Sequence, residues 1–339
     1  MNIRAEIKEL EQSIIEWRRD FHRFPELSFD EHRTSTIIGE ALREMGLAPK
    51  MNVGKTGVTA DLKFGEGPTI ALRADMDALP MQETSGLEFS SQHDGVMHAC
   101  GHDGHMAMLL GTAKVLTQNG DRFNGTVRFI FQPAEEGAGG ARYMIEDGCL
   151  EDVDEIYGIH VWNYQPVGEV GIKDGPVLAA ADMFDIKIKG IGGHGAAPQG
   201  TIDAVVVASH LIQALQTIVS RNTNPLDSTV VTIGKINGGH NFNIIADEVT
   251  LSGTARAYTE ENRQLIKTRM MEIIEGVAKT FGAEIIFDYE DGYPPTINHT
   301  EPTKNVLKAA KRVVGEKAGL PYLSMGGEDF AYYLQKIPG

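Results

Sequence analysis

Between Met97 and His105 the chain reads MHACGHDGH, nine residues that hold one cysteine, three histidines and an aspartate just ahead of an apolar helical run. Cys100 and His102 stand two apart, so in extended or loop backbone both side chains can turn to one side and close on a single ion. A lone cysteine is ordinarily a small buried apolar residue, and a lone histidine a hydrogen-bonded bystander. Together, with Gly101 and Gly104 removing bulk between them, they point to metal. So short a stretch cannot supply every ligand of a closed site, and the fold must therefore bring donors from distant segments.

Candidate donors lie at the ends of apolar runs. TVRFIFQ (126–132) is a dense strand that runs into Pro133-Ala134-Glu135-Glu136-Gly137. Neighbours in extended backbone point opposite ways, so one glutamate can hold a metal while the other faces a reacting group. The β-like run 69–74 feeds into Asp75-Met76-Asp77, where a carboxylate can orient a metal-binding histidine from behind. EIYGIHVW (155–162) reads as a strand delivering His160 near its carboxyl end, where ligands of α/β sheets gather. Sulfur, nitrogen and oxygen donors in one place suit zinc or its first-row neighbours better than magnesium or calcium.

The remaining pattern sets the fold class. Ile3, Ile7, Leu10, Ile14, Trp17 and Phe21 keep helical spacing, a second helix is expected over 30–45, a β-like run over 57–64, and a helix through Met106 to Leu116. The segment HRFPEL (22–27) reads as a loop, and a last helix as 301–314, with no closing element after it. Around Ala180 the pattern becomes a self-contained series of strand 183–189, helix 201–221, strands 228–236 and 248–258, helix 260–281 and strand 284–289, the order of a ferredoxin-like βαββαβ module. The expectation is an α/β protein with a catalytic domain at 1–180 and 293–339, its central mixed sheet flanked by helices, and an inserted module at 181–292. Gly190, Gly192 and Gly195 spell G-x-G-x-x-G, but Ala-Ala-Pro follows where a dinucleotide loop would open a helix, so that reading fails.

Composition excludes several classes. A hydrophobic share of 42% and a charged share of 23% over 339 residues are those of a soluble globular protein. No stretch approaches the roughly 20 apolar residues that span a bilayer, so no membrane partner is expected. A net charge of −16 without a basic cluster argues against nucleic acid. Two cysteines form no disulfide framework, which suits a reducing, cytoplasmic compartment.

Long stretches resemble the dinuclear-metal aminoacylase and carboxypeptidase superfamily, in its amidohydrolase branch of hippurate, auxin-conjugate and N-acetyldiaminopimelate hydrolases. They are HRFPEL with Glu31, LRADMDALP, MHACGHDGHMAMLLG, FQPAEEG, GIHVW, GGHGAAP, NPLDSTVVTIGKINGG, LSGTARAY and MGGEDFAYY. The resemblance implies that Cys100, His102, Glu136 and His160 are metal ligands, His102 in the bridging place. It makes Glu135 the general base and Asp77 the carboxylate behind a ligand. His194 becomes a lid histidine at the tetrahedral intermediate, and Asn243 and Arg256 hold the substrate's free carboxylate.

The inserted module then serves as lid and dimerisation domain, and the cofactors are two divalent ions of zinc, manganese, cobalt or nickel. Relatives carry a further metal-binding histidine beyond MGGEDF, which this sequence does not reach; the expectation is a fragment or a weakly held second metal. Gln199 and Ala246 replace a histidine and a proline common in relatives, changes expected to tune the lid.

The expected function is hydrolysis of small-molecule N-acyl amino acids by a metal-dependent amidohydrolase, forming a homodimer through the inserted domain. The alternatives are a metal-dependent carboxypeptidase or dipeptidase, a cysteine hydrolase with Cys100 as nucleophile, and a non-catalytic dimerising remnant.

Overall fold

The computed structural model describes residues 3–339; Met1 and Asn2, which open the stretch read as the first helix, lie outside the described residues. The chain divides into two compact units. One comprises residues up to Ile172 with Asn298–Tyr322 and Tyr332–Gly339, and the other Lys173–Ile297 with Leu323–Ala331. The crossings at Lys173 and Ile297 fall a few residues outside the boundaries at 181 and 292 read from sequence, and nine residues near the end also group with the second unit.

The first unit is built on a five-stranded mixed sheet in the order Lys50–Val53, Gly57–Lys63, Thr126–Gln132, Thr69–Asp75, Glu155–Gly158. The last three are parallel and the first two join antiparallel. Gly57–Lys63 and Thr69–Asp75, consecutive in sequence, are separated in the sheet by Thr126–Gln132. Helices Ile3–Arg23, His32–Glu44 and His102–Gln118 contribute Phe21, Ile38, Leu42, Met106 and Leu110 to the core, which meets Val58, Phe129 and Phe131 of the sheet. Because the three central strands run the same way, their carboxyl ends open on one edge, the edge on which α/β sheets bind ligands. Asp75 ends one of these strands, and Glu135 and His160 lie shortly after two others.

Several local expectations change. The run EIYGIHVW is extended only over Glu155–Gly158, and His160 sits in the loop beyond. The helix expected from Met106 begins at His102, because Gly101 turns the chain at φ 92 immediately before it. A Cβ at Gly101 would stand 2.4 Å from Val161 Cγ2, so the site has no room for a side chain there. The strand Lys50–Val53 and the helices Gly140–Glu146 and Ala331–Leu334 have no counterpart in the sequence reading, and the last of these follows the helix Thr300–Val314.

The second unit has a four-stranded antiparallel sheet in the order Thr229–Gly238, Glu248–Ala257, Ala180–Lys189, Glu284–Tyr293. With helices Ala204–Thr217 and Glu260–Phe281 in the connections this is the βαββαβ order expected. Phe184, Ile186 and Ile188 alternate inward along their strand and meet Val207, Leu211, Ile266 and Met270 of the helices. Asp203 caps the first helix by accepting the Val205 and Val206 amides, and Thr259 caps the second through the Asn262 amide.

One sequence expectation on apolar runs needs correction: Ala204–Asn222 spans 19 residues at a mean hydropathy of 1.2, enough by length and composition to cross a membrane. Its apolar side supplies Val207, Leu211, Leu215 and Ile218 to the core of this unit, which accounts for that composition.

Candidate metal centre

In the first unit Cys100, His102, Glu135, Glu136 and His160 form two groups that share His102. Ligand atoms of Cys100, His102 and His160 lie within 4.8 Å of one another, as do those of His102, Glu135 and Glu136 and those of Asp75, His102 and His105. His102 belongs to all three groups and is wholly buried. Its Nε2 lies 4.0 Å from Glu135 Oε2 and 3.9 Å from Glu136 Oε1, and the Cys100 sulfur lies 3.4 Å from His160 Nε2.

Hydrogen bonds sort these side chains by availability. His160 Nδ1 faces the Val161 carbonyl at 2.5 Å, so that nitrogen carries the proton and Nε2 presents its lone pair toward Cys100. His105 Nε2 accepts the Val161 amide at 2.9 Å, which puts its proton on Nδ1 for donation to Asp75 Oδ1 at 2.6 Å. Arg73 Nη1 donates to the other Asp75 oxygen, also at 2.6 Å. His105 and Asp75 are thus occupied with each other and with Arg73, and they brace the site rather than offer open donors. The sequence points to Asp75 but assigns His105 no role; the spacing of His105 within MHACGHDGH is its available signal.

By contrast, both nitrogens of His102 and Oε1 of Glu136 are buried with no hydrogen-bond partner among the described residues. Buried polar atoms are nearly always satisfied, so three orphans in one cluster call for a further group. Donors of thiolate, imidazole and carboxylate type fit a divalent transition ion. Asp77 lies behind them, 3.4 Å from His102 Nδ1. Its Oδ1 accepts the Glu135 amide at 2.9 Å, while Oδ2 accepts the Glu136 amide at 3.0 Å and the Ser28 hydroxyl at 2.6 Å.

The electrostatics follow from this crowding. Burial would push Asp77 upward, but His102, the Ser28 hydroxyl and the Glu136 amide outweigh it and hold the carboxyl below the ordinary range. Burial likewise raises the Cys100 thiol. Burial also raises Glu136, with Asp77 and Asp75 adding to it against the pull of His102. Burial would lower His102, yet Asp75, Asp77 and Cys100 together raise it well above the ordinary histidine value.

Beside His102, Asp103 points away from the centre into a second cluster. His22 Nδ1 lies 2.9 Å from Asp103 Oδ2 and its Nε2 3.3 Å from Glu83 Oε1, so both nitrogens face carboxylates and the imidazolium satisfies both. Arg18 adds a contact to Asp103 at 3.2 Å. The hydrogen bond to Asp103 raises His22 against the cost of burial, with Glu83 helping. The stabilisation is therefore full below the ordinary histidine value of 6.5 and fades as pH rises through the raised folded value. His22→Gln is expected to remove this pH dependence: thermal melts of the two proteins should differ most in acid and converge in alkali.

The other sequence candidates lie in the second unit. His194 is exposed in the short strand Gly193–His194, which pairs with Ile244–Ile245, and its Nδ1 accepts the Ala196 amide at 3.1 Å. The Asn243 carbonyl accepts the Gly195 amide at 2.8 Å, so Asn243 and His194 are neighbours. Arg256 stands on the strand Glu248–Ala257, where its Nε donates to Thr254 Oγ1 at 3.0 Å.

The N-acetyl-L-cysteine deacetylase of Bacillus subtilis is 46% identical over 331 residues, 97% of this chain and 79% of its own length. The IAA-amino acid hydrolase ILR1-like 4 of Arabidopsis thaliana is 44% identical over 95% of this chain and 74% of its own. The crystal structure of the Bacillus subtilis YXEP protein, described as a dinuclear metal binding peptidase from the M20 family, superimposes with a TM-score of 0.86 at 40% identity, covering 98% of this chain and 88% of its own. The model of Peptidase family M20/M25/M40 matches residues 71–339, a span that takes in every donor around His102, and the chain belongs to that family.

Proposed function

We infer that this chain is a metal-dependent amidohydrolase that cleaves the amide bond of N-acyl amino acids. The observation that carries the reading is His102, a buried imidazole with neither nitrogen hydrogen-bonded among the described residues, set among Cys100, His160, Glu135 and Glu136. The two relatives above are named for an acetylated and an IAA-linked amino acid, which supports the substrate class.

Cys100, His102, Glu136 and His160 would hold two divalent ions. Bound there, such ions acidify water and polarise an amide carbonyl. Glu135, its backbone amide held by Asp77, is 6% exposed, which keeps its carboxylate from bulk solvent. It takes the proton from the attacking water and returns it to the leaving nitrogen. Asp77 steadies His102 from the far side. His194, Asn243 and Arg256 keep the substrate contacts that the resemblance implies, Arg256 as a permanent cation suited to a carboxylate. A homodimer through the inserted unit and a cytoplasmic location complete the proposal, the latter supported by two free cysteines.

Exhaustive chelation is expected to abolish hydrolysis, and separate return of zinc, manganese, cobalt and nickel to restore it to different extents. Acetyl, benzoyl and indole-acetyl amino acids and acetyl-diaminopimelate form the substrate panel, with dipeptides as the test of the peptidase alternative. Undiminished turnover by protein shown to be metal-free would end the proposal.

A further inference from the structure

Three successive amides open the turn after Thr126–Gln132, and carboxylates hold all of them. Asp77 takes those of Glu135 and Glu136. The Ala134 amide donates instead to Glu31 Oε1 at 2.8 Å. Glu31 is wholly buried, and its Oε2 accepts the Thr56 hydroxyl at 2.5 Å. A carboxyl in such a place, with Asp77 as a nearby like charge, is a poor way to gain stability, since burial and repulsion both oppose its ionisation. Burial brings it up to about 7, and in either protonation state an oxygen remains to accept from Ala134.

The backbone around Glu31 is strained. Ala134 adopts φ 54, Lys55, next to Thr56, φ 80, and Phe29, two before Glu31, φ 65. These are three of the five non-glycine residues with positive φ among the described residues, and such conformations persist only where their surroundings enforce them. The Lys55 ammonium lies 3.7 Å from the centre of the Phe29 ring and 4.4 Å from that of Tyr143, which ties two of the strained segments together. The Gly140 amide closes the turn on the Ala134 carbonyl at 2.9 Å, where a Cβ on Gly140 would meet Pro133 O at 1.8 Å.

We propose that Glu31 is a positioning residue for the hydrolysis, holding the Ala134 amide so that the turn stays left-handed at Ala134 and aims the carboxylates of Glu135 and Glu136. The torsions of Ala134 set the direction of everything after it, and misplacing a reacting group by about 1 Å can cost on the order of a hundredfold in rate. This inference rests on the metal-dependent reading above.

Glu31→Gln keeps an acceptor for Ala134 and turns its amide toward the Thr56 oxygen. It is expected to match the wild type in kcat and in affinity for Co2+, followed by absorption of the Cys100 thiolate complex. Glu31→Leu fills the space without an acceptor and is expected to lower both by roughly 10- to 100-fold, with KM near the wild-type value. Titration with Co2+ alone reads the turn whether or not the wild type hydrolyses acyl amino acids, so failure of the functional reading and failure of this one are told apart. Folded Glu31→Leu with unchanged kcat and Co2+ affinity overturns the proposal. So does Glu31→Gln as impaired as Glu31→Leu, because charge rather than the accepted hydrogen bond would then be what matters. Should Glu31→Leu fail to fold, Thr56→Val frees one side of the carboxyl and is expected to show a smaller loss in the same two measurements; wild-type values in both overturn the proposal.

Discussion

Glu135→Gln is expected to lower kcat by about 100- to 10,000-fold, the range for losing a positioned general base, while the protein binds its ions as the wild type does. Glutamine preserves the shape of the side chain and the amide bond to Asp77, so the turn keeps its course. It cannot take a proton from water. KM should change little, because the loss falls on a step after binding. Glu136→Gln provides the contrast, since its Oε1 is one of the three orphaned atoms of the cluster around His102 and its replacement should reduce metal content before it reduces turnover. Elemental analysis beside steady-state kinetics separates the two. A Glu135→Gln protein with full metal and more than about a tenth of the wild-type kcat would remove Glu135 from the role of base.

The largest stability effect is expected in the second unit, at Asp182. This carboxylate is 1% exposed and accepts from Arg263 Nη2 at 2.6 Å, Arg263 Nε at 2.9 Å, the Tyr289 hydroxyl at 2.8 Å and the Gly292 amide at 2.9 Å. One side chain thus joins the strands Ala180–Lys189 and Glu284–Tyr293 to the helix Glu260–Phe281. Burial opposes the Arg263 charge, yet Asp182 holds the guanidinium well above its ordinary range. Asp182→Ala leaves a buried cation, a phenol and an amide without their acceptor, and a loss of about 3–5 kcal/mol is expected. At about 4 °C per kcal/mol, where the ranges for smaller and larger domains meet, calorimetry should show the transition of this unit falling by roughly 12–20 °C. Replacing Asp182 by leucine and Arg263 by methionine together should recover much of that loss, because an apolar pair carries no unmet charge. A fall of less than about 1 kcal/mol in Asp182→Ala would show that water satisfies the network in its place.

Which parts of this were legible beforehand follows from the range of the forces involved. Thr126–Gln132 and Glu260–Phe281 have the bounds read from sequence, because their side-chain periodicity is local and strong. The βαββαβ series was readable for the same reason. The strand-forming residues of IHVW suggest an extended run through His160, whereas it ends at Gly158. The helix Gly140–Glu146 was hidden by the glycines in front of it, which are common in loops. Sheet order was not legible, since placing Thr126–Gln132 between two earlier strands depends on contacts remote in sequence.

The site shows the same division. Cys100, His102, Glu135, Glu136 and His160 could be singled out by type and spacing, and the structure of the first unit gathers them. Glu31 could not, because what distinguishes it is a pair of partners 25 and 103 residues away. Nor could the pairing of His105 with Asp75, 30 residues apart, which takes both side chains out of the set of open donors.

The division of the sequence between the two units bears on synthesis. The βαββαβ core from Ala180 to Tyr293 is one uninterrupted run, so its sheet and both helices are available as soon as that run leaves the ribosome. The first unit must wait: Val170–Gly171 finds its partner strand only when Ala318–Gly319 has been made, almost 150 codons later. A nascent chain halted after Tyr293 but before Ala318 already holds the whole βαββαβ sheet while Val170–Gly171 still lacks its partner strand, so the last strand pairing to form belongs to the first unit.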